Sequence, residues 1–147
     1  MTDNNNNNIN SKKENPNSKK GNNKKKTEIK KMPKVYDLEE RTYQFALDVR
    51  LFIKKIPKTI ANIEDGKQVV RSSGSVGANY IEANEKVGEK DLKFRLKIAR
   101  KEAKETIYWL RLITNSNENI DKEENKRLIN EAFELRKILS AILNKLK

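Results

Sequence analysis

The 147-residue chain has neither cysteine nor histidine. Without cysteine there is no disulfide framework and no thiolate site. Without histidine as well, the usual nucleophile and base pairs of covalent and acid–base catalysis are missing. A carboxylate-bridged two-metal site of the ferritin type needs a Glu-x-x-His pair on each of two helices, so it cannot be built here in its usual form. No apolar run approaches the roughly 18 residues of a membrane span. The N-terminus has no apolar signal core, and it is short of the arginine and amphipathic pattern of a mitochondrial transit peptide. A cytoplasmic protein that keeps its N-terminal segment is the expectation, with no metal and no cofactor. No stretch between Val35 and Lys147 alternates with period two over a useful length, and no repeat of 20 to 50 residues is visible.

What the chain does have is positive charge, +12 overall, unevenly distributed. Met1 to Lys34 holds ten lysines and ten asparagines against Asp3, Glu14 and Glu28, so this segment carries +7 and the remainder +5. Its few large apolar residues are too scattered to make a face. Such a segment cannot bury enough area to offset its chain entropy. Residues 1–34 are therefore read as a disordered Lys/Asn-rich basic tail, and 35–147 as one domain.

That domain reads as four helices. Asp37 is the expected cap of the first, in which Leu38, Phe45, Val49, Phe52, Ile53 and Ile56 recur at three- and four-residue steps until Pro57 interrupts. The second starts at Thr59 or Glu64, its first turns weakened by Gly66, and runs to about Glu85. Its apolar residues are Ile60, Ile63, Val69, Val70, Val76, Tyr80 and Ile81. Gly88 closes it. The third opens near Glu89 and continues to about Thr114, with Leu92, Leu96, Ala99, Ala103, Thr106 and Leu110 on one stripe. Asn115 to Asn119 form the next loop, and Asp121 caps a last helix carrying Leu128, Ala132, Leu135, Ile138, Leu139, Ile142 and Leu146. Short connections between helices of roughly 20 to 25 residues predict an all-α, antiparallel up-down-up-down four-helix bundle.

Three features bear on function. The run from Arg71 to Glu85 places Gly74 and Gly77 and several small residues inside a helix, where each glycine costs about 1 kcal/mol relative to alanine. It lacks the lysine and spacing of a P-loop. Close approach of another helix at Gly74 and Gly77 explains it better, with Ser72, Ser73 and Ser75 facing solvent or bonding back to carbonyls. Glu82, Glu85, Glu102 and Glu105 are the candidates for an all-carboxylate metal site, for which solvated or salt-bridged glutamates are the commoner alternative. In the third helix, Lys93, Lys97, Arg100, Lys104 and Arg111 fall within a sector of roughly 60° at about 100° per residue. Tyr108 lies beside this stripe, and Lys86 would lengthen it. A solvated lysine face and a polyanion contact both fit; the +7 tail favours nucleic acid, because both parts would neutralise phosphates. The same wheel gathers Phe94, Ile98, Trp109 and Leu112 away from the core stripe, and a helix apolar on two sides points to a subunit interface.

The run R-S-S-G-S-V-G-A-N-Y-I-E-A-N-E from Arg71 to Glu85, followed by K-D-L-K-F-R-L-K-I-A-R-K-E-A-K-E-T-I-Y-W-L-R-L from Lys90 to Leu112, resembles the small four-helix-bundle proteins encoded by intervening sequences in bacterial 23S rRNA genes. The likeness extends over Val35 to Lys147, including the Phe45-Ala46 and Ile56-Pro57 pairs, and is most specific in the second and third helices. It implies a bundle assembling as a ring, commonly a homopentamer, without catalytic activity. A related branch, the accessory proteins of diversity-generating retroelements, is a basic pentamer that binds nucleic acid and a reverse transcriptase. The resemblance implies no catalytic residues. It marks Arg71, Asn79 and Glu82 as polar residues fixing packing or an interface. The tail is a departure from the family, so nothing about it carries over.

Two functions follow as expectations: a homo-oligomeric scaffold binding RNA or DNA through phosphates, and a protein-interaction bundle whose charge only keeps it soluble. An enzyme is a distant third, open only to Lys, Tyr, Ser and carboxylates.

Overall fold

Four helices occupy almost all of residues 34–85 and 88–146, the part of the chain that the computed structural model describes. They are α1 (Lys34–Lys55), α2 (Ile60–Asn84), α3 (Glu89–Ser116) and α4 (Lys122–Lys145). The expected disorder of the tail and the extension of the stripe to Lys86 lie outside the described residues. Each helix packs on its neighbours in sequence, α4 closes back onto α1, and the diagonal pairs α1/α3 and α2/α4 stay apart. This is the up-down-up-down arrangement, and the described residues contain no strand.

The ends follow local chemistry. α1 stops at Lys55, just before Ile56-Pro57, because proline removes a donor and disfavours helix in the residue before it. The Thr59 hydroxyl accepts from Asn62 N at 3.1 Å and starts α2 at the earlier of the two expected positions. Gly66 does not weaken that start. It is buried, and a Cβ there would lie 3.3 Å from Ile53 Cγ2, so it lets α1 come close. Asp121 caps α4 by accepting from Glu124 N at 3.0 Å.

Two expected boundaries are corrected. α1 begins at Lys34, so Asp37 lies inside the helix and does not cap it. α3 continues through Asn115 to Ser116. There Ser116 Oγ donates to Leu112 O at 2.7 Å and Asn117 Nδ2 donates to Ile113 O at 2.8 Å, so side chains bond back onto the preceding turn at the helix end.

The core is built from Leu38, Phe45, Val49 and Phe52 of α1, Val69, Val76 and Tyr80 of α2, Leu96, Leu110 and Ile113 of α3, and Leu128, Leu135, Leu139 and Leu143 of α4. Burying each large apolar side chain is worth about 1.5–3 kcal/mol. The α2–α3 seam is the most extensive. Its side chains are small: Ala99 and Ala103 on α3 and Ser72 on α2 are all buried. Ser72 Oγ and Thr106 Oγ1 share a hydrogen bond of 2.8 Å across it, and Ser73 bonds back to Val70 O at 3.2 Å. On α2 the expected apolar stripe is too broad. Ile60 is 86% exposed, and Ile63 and Ile81 also face outward.

Candidate nucleic-acid interface

The two carboxylates in the middle of α3 stand away from its lysines, and this separation defines the candidate surface. Glu102 and Glu105 face α2, where Arg71 lies 3.3 Å from Glu102 Oε2 and 3.0 Å from Glu105 Oε2. The side chain of Glu102 is nearly enclosed, so Arg71 compensates a charge that would be costly to bury alone. On the same seam Arg95 Nη1 donates to Asn79 Oδ1 at 3.4 Å, and Arg95 Nε lies 3.9 Å from Asp91 Oδ1. Arg71 and Asn79 thus hold the α2–α3 seam, whereas Glu82 is exposed and forms no ion pair among the described residues. No cluster of three or more His, Cys, Asp or Glu among the described residues could hold a metal. Glu102 and Glu105 are instead paired to one guanidinium.

The α1–α4 seam ties up cations in the same way. Arg41 donates twice to Glu131, at 2.8 and 2.7 Å. Arg127 bonds Asp48 at 2.9 Å and also pairs with Glu124. The hydrogen bond to Glu131 holds the Arg41 guanidinium above its ordinary pKa against some desolvation, and the bonds to Glu124 and Asp48 do so for Arg127. Between α1 and α2 runs a groove of about 480 Å³ lined by Thr42, Tyr43, Arg50, Gly77 and Ile81 among others, with no nucleophile and base set against each other.

The basic residues of α3 fare differently. Lys97, Lys104 and Arg111 are exposed and have no ion-pair partner among the described residues. Lys93 is 3.5 Å from Glu89, one turn earlier, and half-buried Arg100 donates to Ser140 Oγ of α4 at 3.4 Å. The stripe therefore comprises three free cations and two with local partners. It also borders α4. Arg100–Ser140 and the 3.2 Å bond from Asn125 Nδ2 to Leu110 O fix the antiparallel register of the two helices. That register sets Phe133 close to the level of Lys104, with Arg136 one turn before Ser140 on the same helix. On α4, Lys126, Phe133, Lys137, Ser140 and Asn144 share a sector of roughly 60° that contains no carboxylate. Of the cations here, Lys137 pairs with Glu134 at 3.2 Å, while Lys126 and Arg136 have no ion-pair partner among the described residues. The α4 contribution escaped the sequence reading. The wheel of α4 carries the signal, but only the packing order reveals that this arc adjoins the α3 stripe.

The four apolar residues expected at a subunit interface do not share one environment. Phe94 is 57% exposed and Leu112 39%. Ile98 is half-buried, and Trp109 packs against the core cluster with its Nε1 enclosed and without a partner. Trp109 lies on the α2 side of α3, so its indole is partly covered by the bundle itself. Of the two central glycines, a Cβ at Gly77 would sit 2.7 Å from Thr42 Oγ1 of α1, whereas one at Gly74 would meet only the tip of the Arg50 side chain, at 3.1 Å.

Fold and surface together define a helical bundle with one carboxylate-poor basic face and no catalytic constellation among its described residues. The profile of the family described as 23S rRNA-intervening sequence protein matches residues 34–141, and the chain belongs to that family. It is also similar, at 31% identity and a TM-score of 0.63, to a crystal structure described as a protein with unknown function from the S23 ribosomal protein family of Bacteroides thetaiotaomicron. That likeness covers 71% of this chain and 96% of the other. No curated protein matches the chain.

Proposed function

We propose that the protein is a non-catalytic, homo-oligomeric scaffold that binds nucleic acid through the α3 basic face, with the N-terminal lysines adding charge. The observation that carries this reading is the segregation of charge. The α1–α4 and α2–α3 seams pair their arginines with carboxylates, while Lys97, Lys104 and Arg111 have no such partner among the described residues. Cations left unpaired on one face neutralise phosphates and release counterions. In a ring of identical subunits, five if the family resemblance holds, the face recurs at every protomer, and weak contacts add through effective concentration. Lysines on a phosphate backbone position a protein without reading bases, so sequence preference is slight.

The test is binding of labelled RNA and duplex DNA across a salt series. Changing Lys97, Lys104 and Arg111 to glutamine leaves the fold intact, since exposed charges contribute little to stability. It makes the slope of log affinity against log salt shallower by up to about 2 to 3 units for duplex, at about 0.9 per lost contact. Removing residues 1–33 flattens it further. No binding of either nucleic acid at low salt, or an unchanged slope in the triple variant, leaves a protein-interaction bundle as the function.

A further inference from the structure

The basic face contains exposed aromatic rings that phosphate binding alone does not require. Tyr108 is 55% exposed and lies between two unpaired cations of α3, one turn after Lys104 and three residues before Arg111. Its ring is held edge-on against Trp109, with centroids 5.0 Å apart and planes at 77°, so it stands at a set angle on the surface. On the opposite bank Phe133 of α4 is 43% exposed and, by the register above, close to the level of Lys104. The seven-residue step from Lys104 to Arg111 covers about 10 Å of helix axis, which leaves room for one flat group over Tyr108 between two bound phosphates.

We propose that the α3–α4 face takes single-stranded nucleic acid in preference to duplex, with Tyr108 as a platform on which a base stacks between phosphates held by Lys104 and Arg111. This rests on the nucleic-acid reading and narrows it to a substrate class. A duplex presents phosphates outward and keeps its bases stacked on one another, so exposed rings among the cations gain nothing from it. A single strand offers free base faces, and basic grooves interleaved with aromatic side chains bind such strands with little regard to sequence. Phe133 supplies a second platform on α4.

The full-length protein is titrated with labelled oligouridylate, oligothymidylate and a mixed-sequence duplex, each about 16 nucleotides or base pairs long, a length matched to single-strand site sizes. Both single strands bind more tightly than the duplex, and the ribo and deoxy arms show whether the 2′-hydroxyl matters. Tyr108→Ala weakens single-strand binding about tenfold or more, as expected for loss of one stacked base. It leaves duplex affinity and the salt slope unchanged, while Tyr108→Phe binds as the unmodified protein does. Phe133→Ala, on the other helix, shows the same selective loss and decides the matter if Tyr108→Ala does not fold.

Equal affinity for single strands and duplex, or an alanine variant that loses nothing on single strands, overturns the inference and leaves the phosphate-binding reading standing. A Tyr108→Ala variant that loses oligomeric mass by light scattering and weakens both forms alike also overturns it, placing the ring in a subunit contact. No binding by any probe removes both readings.

Discussion

Gly77 should tolerate nothing larger than hydrogen, and the reason can be tested through its neighbour. A Cβ at Gly77 would stand 2.7 Å from Thr42 Oγ1 and 3.1 Å from Thr42 Cβ. Thr42 is only 1% exposed, and its hydroxyl donates to Glu39 O at 2.9 Å, so it cannot turn aside without losing that bond. Helix propensity favours Gly77→Ala by about 1 kcal/mol, whereas overpacking costs about 1–3 kcal/mol. The net expectation is a loss of up to about 2 kcal/mol. Thr42→Ala removes the offending oxygen, at a cost of about 1 kcal/mol for its hydrogen bond. In that background only the 3.1 Å approach to the residue 42 Cβ remains, so Gly77→Ala should cost clearly less, giving a coupling of about 1 kcal/mol between the two sites. Urea midpoints followed by circular dichroism measure all four proteins, with an unchanged m-value confirming that only stability has moved. Gly74→Ala is the control. It meets only the movable tip of exposed Arg50, so the propensity term should prevail and leave the protein as stable or up to about 1 kcal/mol more stable. A Gly77→Ala protein more stable than the parent, or an equal effect with and without Thr42, would refute the close-packing argument.

Asn62 should prove a structural lock. It is 3% exposed, its Nδ2 donates to Pro57 O at 2.8 Å and to Asn117 Oδ1 at 2.7 Å, and its Oδ1 accepts from Asn117 Nδ2 at 2.8 Å. Asn62→Ala leaves those partners open and should lower stability by about 1–3 kcal/mol, with an unmoved urea midpoint as the contrary result. Phe94→Ser with Leu112→Ser should reduce the oligomeric mass seen by light scattering while the helical circular dichroism persists. Trp109 is a poorer probe, because it also packs on the core. A parent protein already monomeric at tens of micromolar, as an order-of-magnitude test concentration, would dispose of the interface.

The helix ends were legible because each is set within a few residues. Pro57 stops α1, Asp121 caps α4, Thr59 is one of the two starts that the residues offer for α2, and Gly88 separates α2 from α3. The errors came from outside that window. Asp37 has the chemistry of a cap, but the helix had already begun at Lys34. Ile60, Ile63 and Ile81 fit a helical period, yet a wheel has no means of saying how wide an arc the neighbours cover, and α2 buries its small residues in preference. Propensity makes Gly66 a weak point because it describes an exposed helix and not the approach of Ile53.

The candidate surface divides along the same line. Angles within α3 suffice to gather Lys97, Lys104 and Arg111, because residues three, four and seven apart share a face whatever the helix packs against. They cannot say that Glu102 and Glu105 turn toward Arg71 or that the next arc belongs to α4. Those facts depend on the order of helices around the bundle and on which flank of α3 each neighbour takes. Two hydrogen bonds, Arg100 to Ser140 and Asn125 to Leu110 O, supply that information and turn a one-helix stripe into a two-helix face with Phe133 and Arg136 on its far bank. The basic stripe is thus a property of local sequence, while its breadth and its aromatic margins are properties of tertiary packing. A function that needs only charge would depend on the first alone; one that needs a base to stack depends on both.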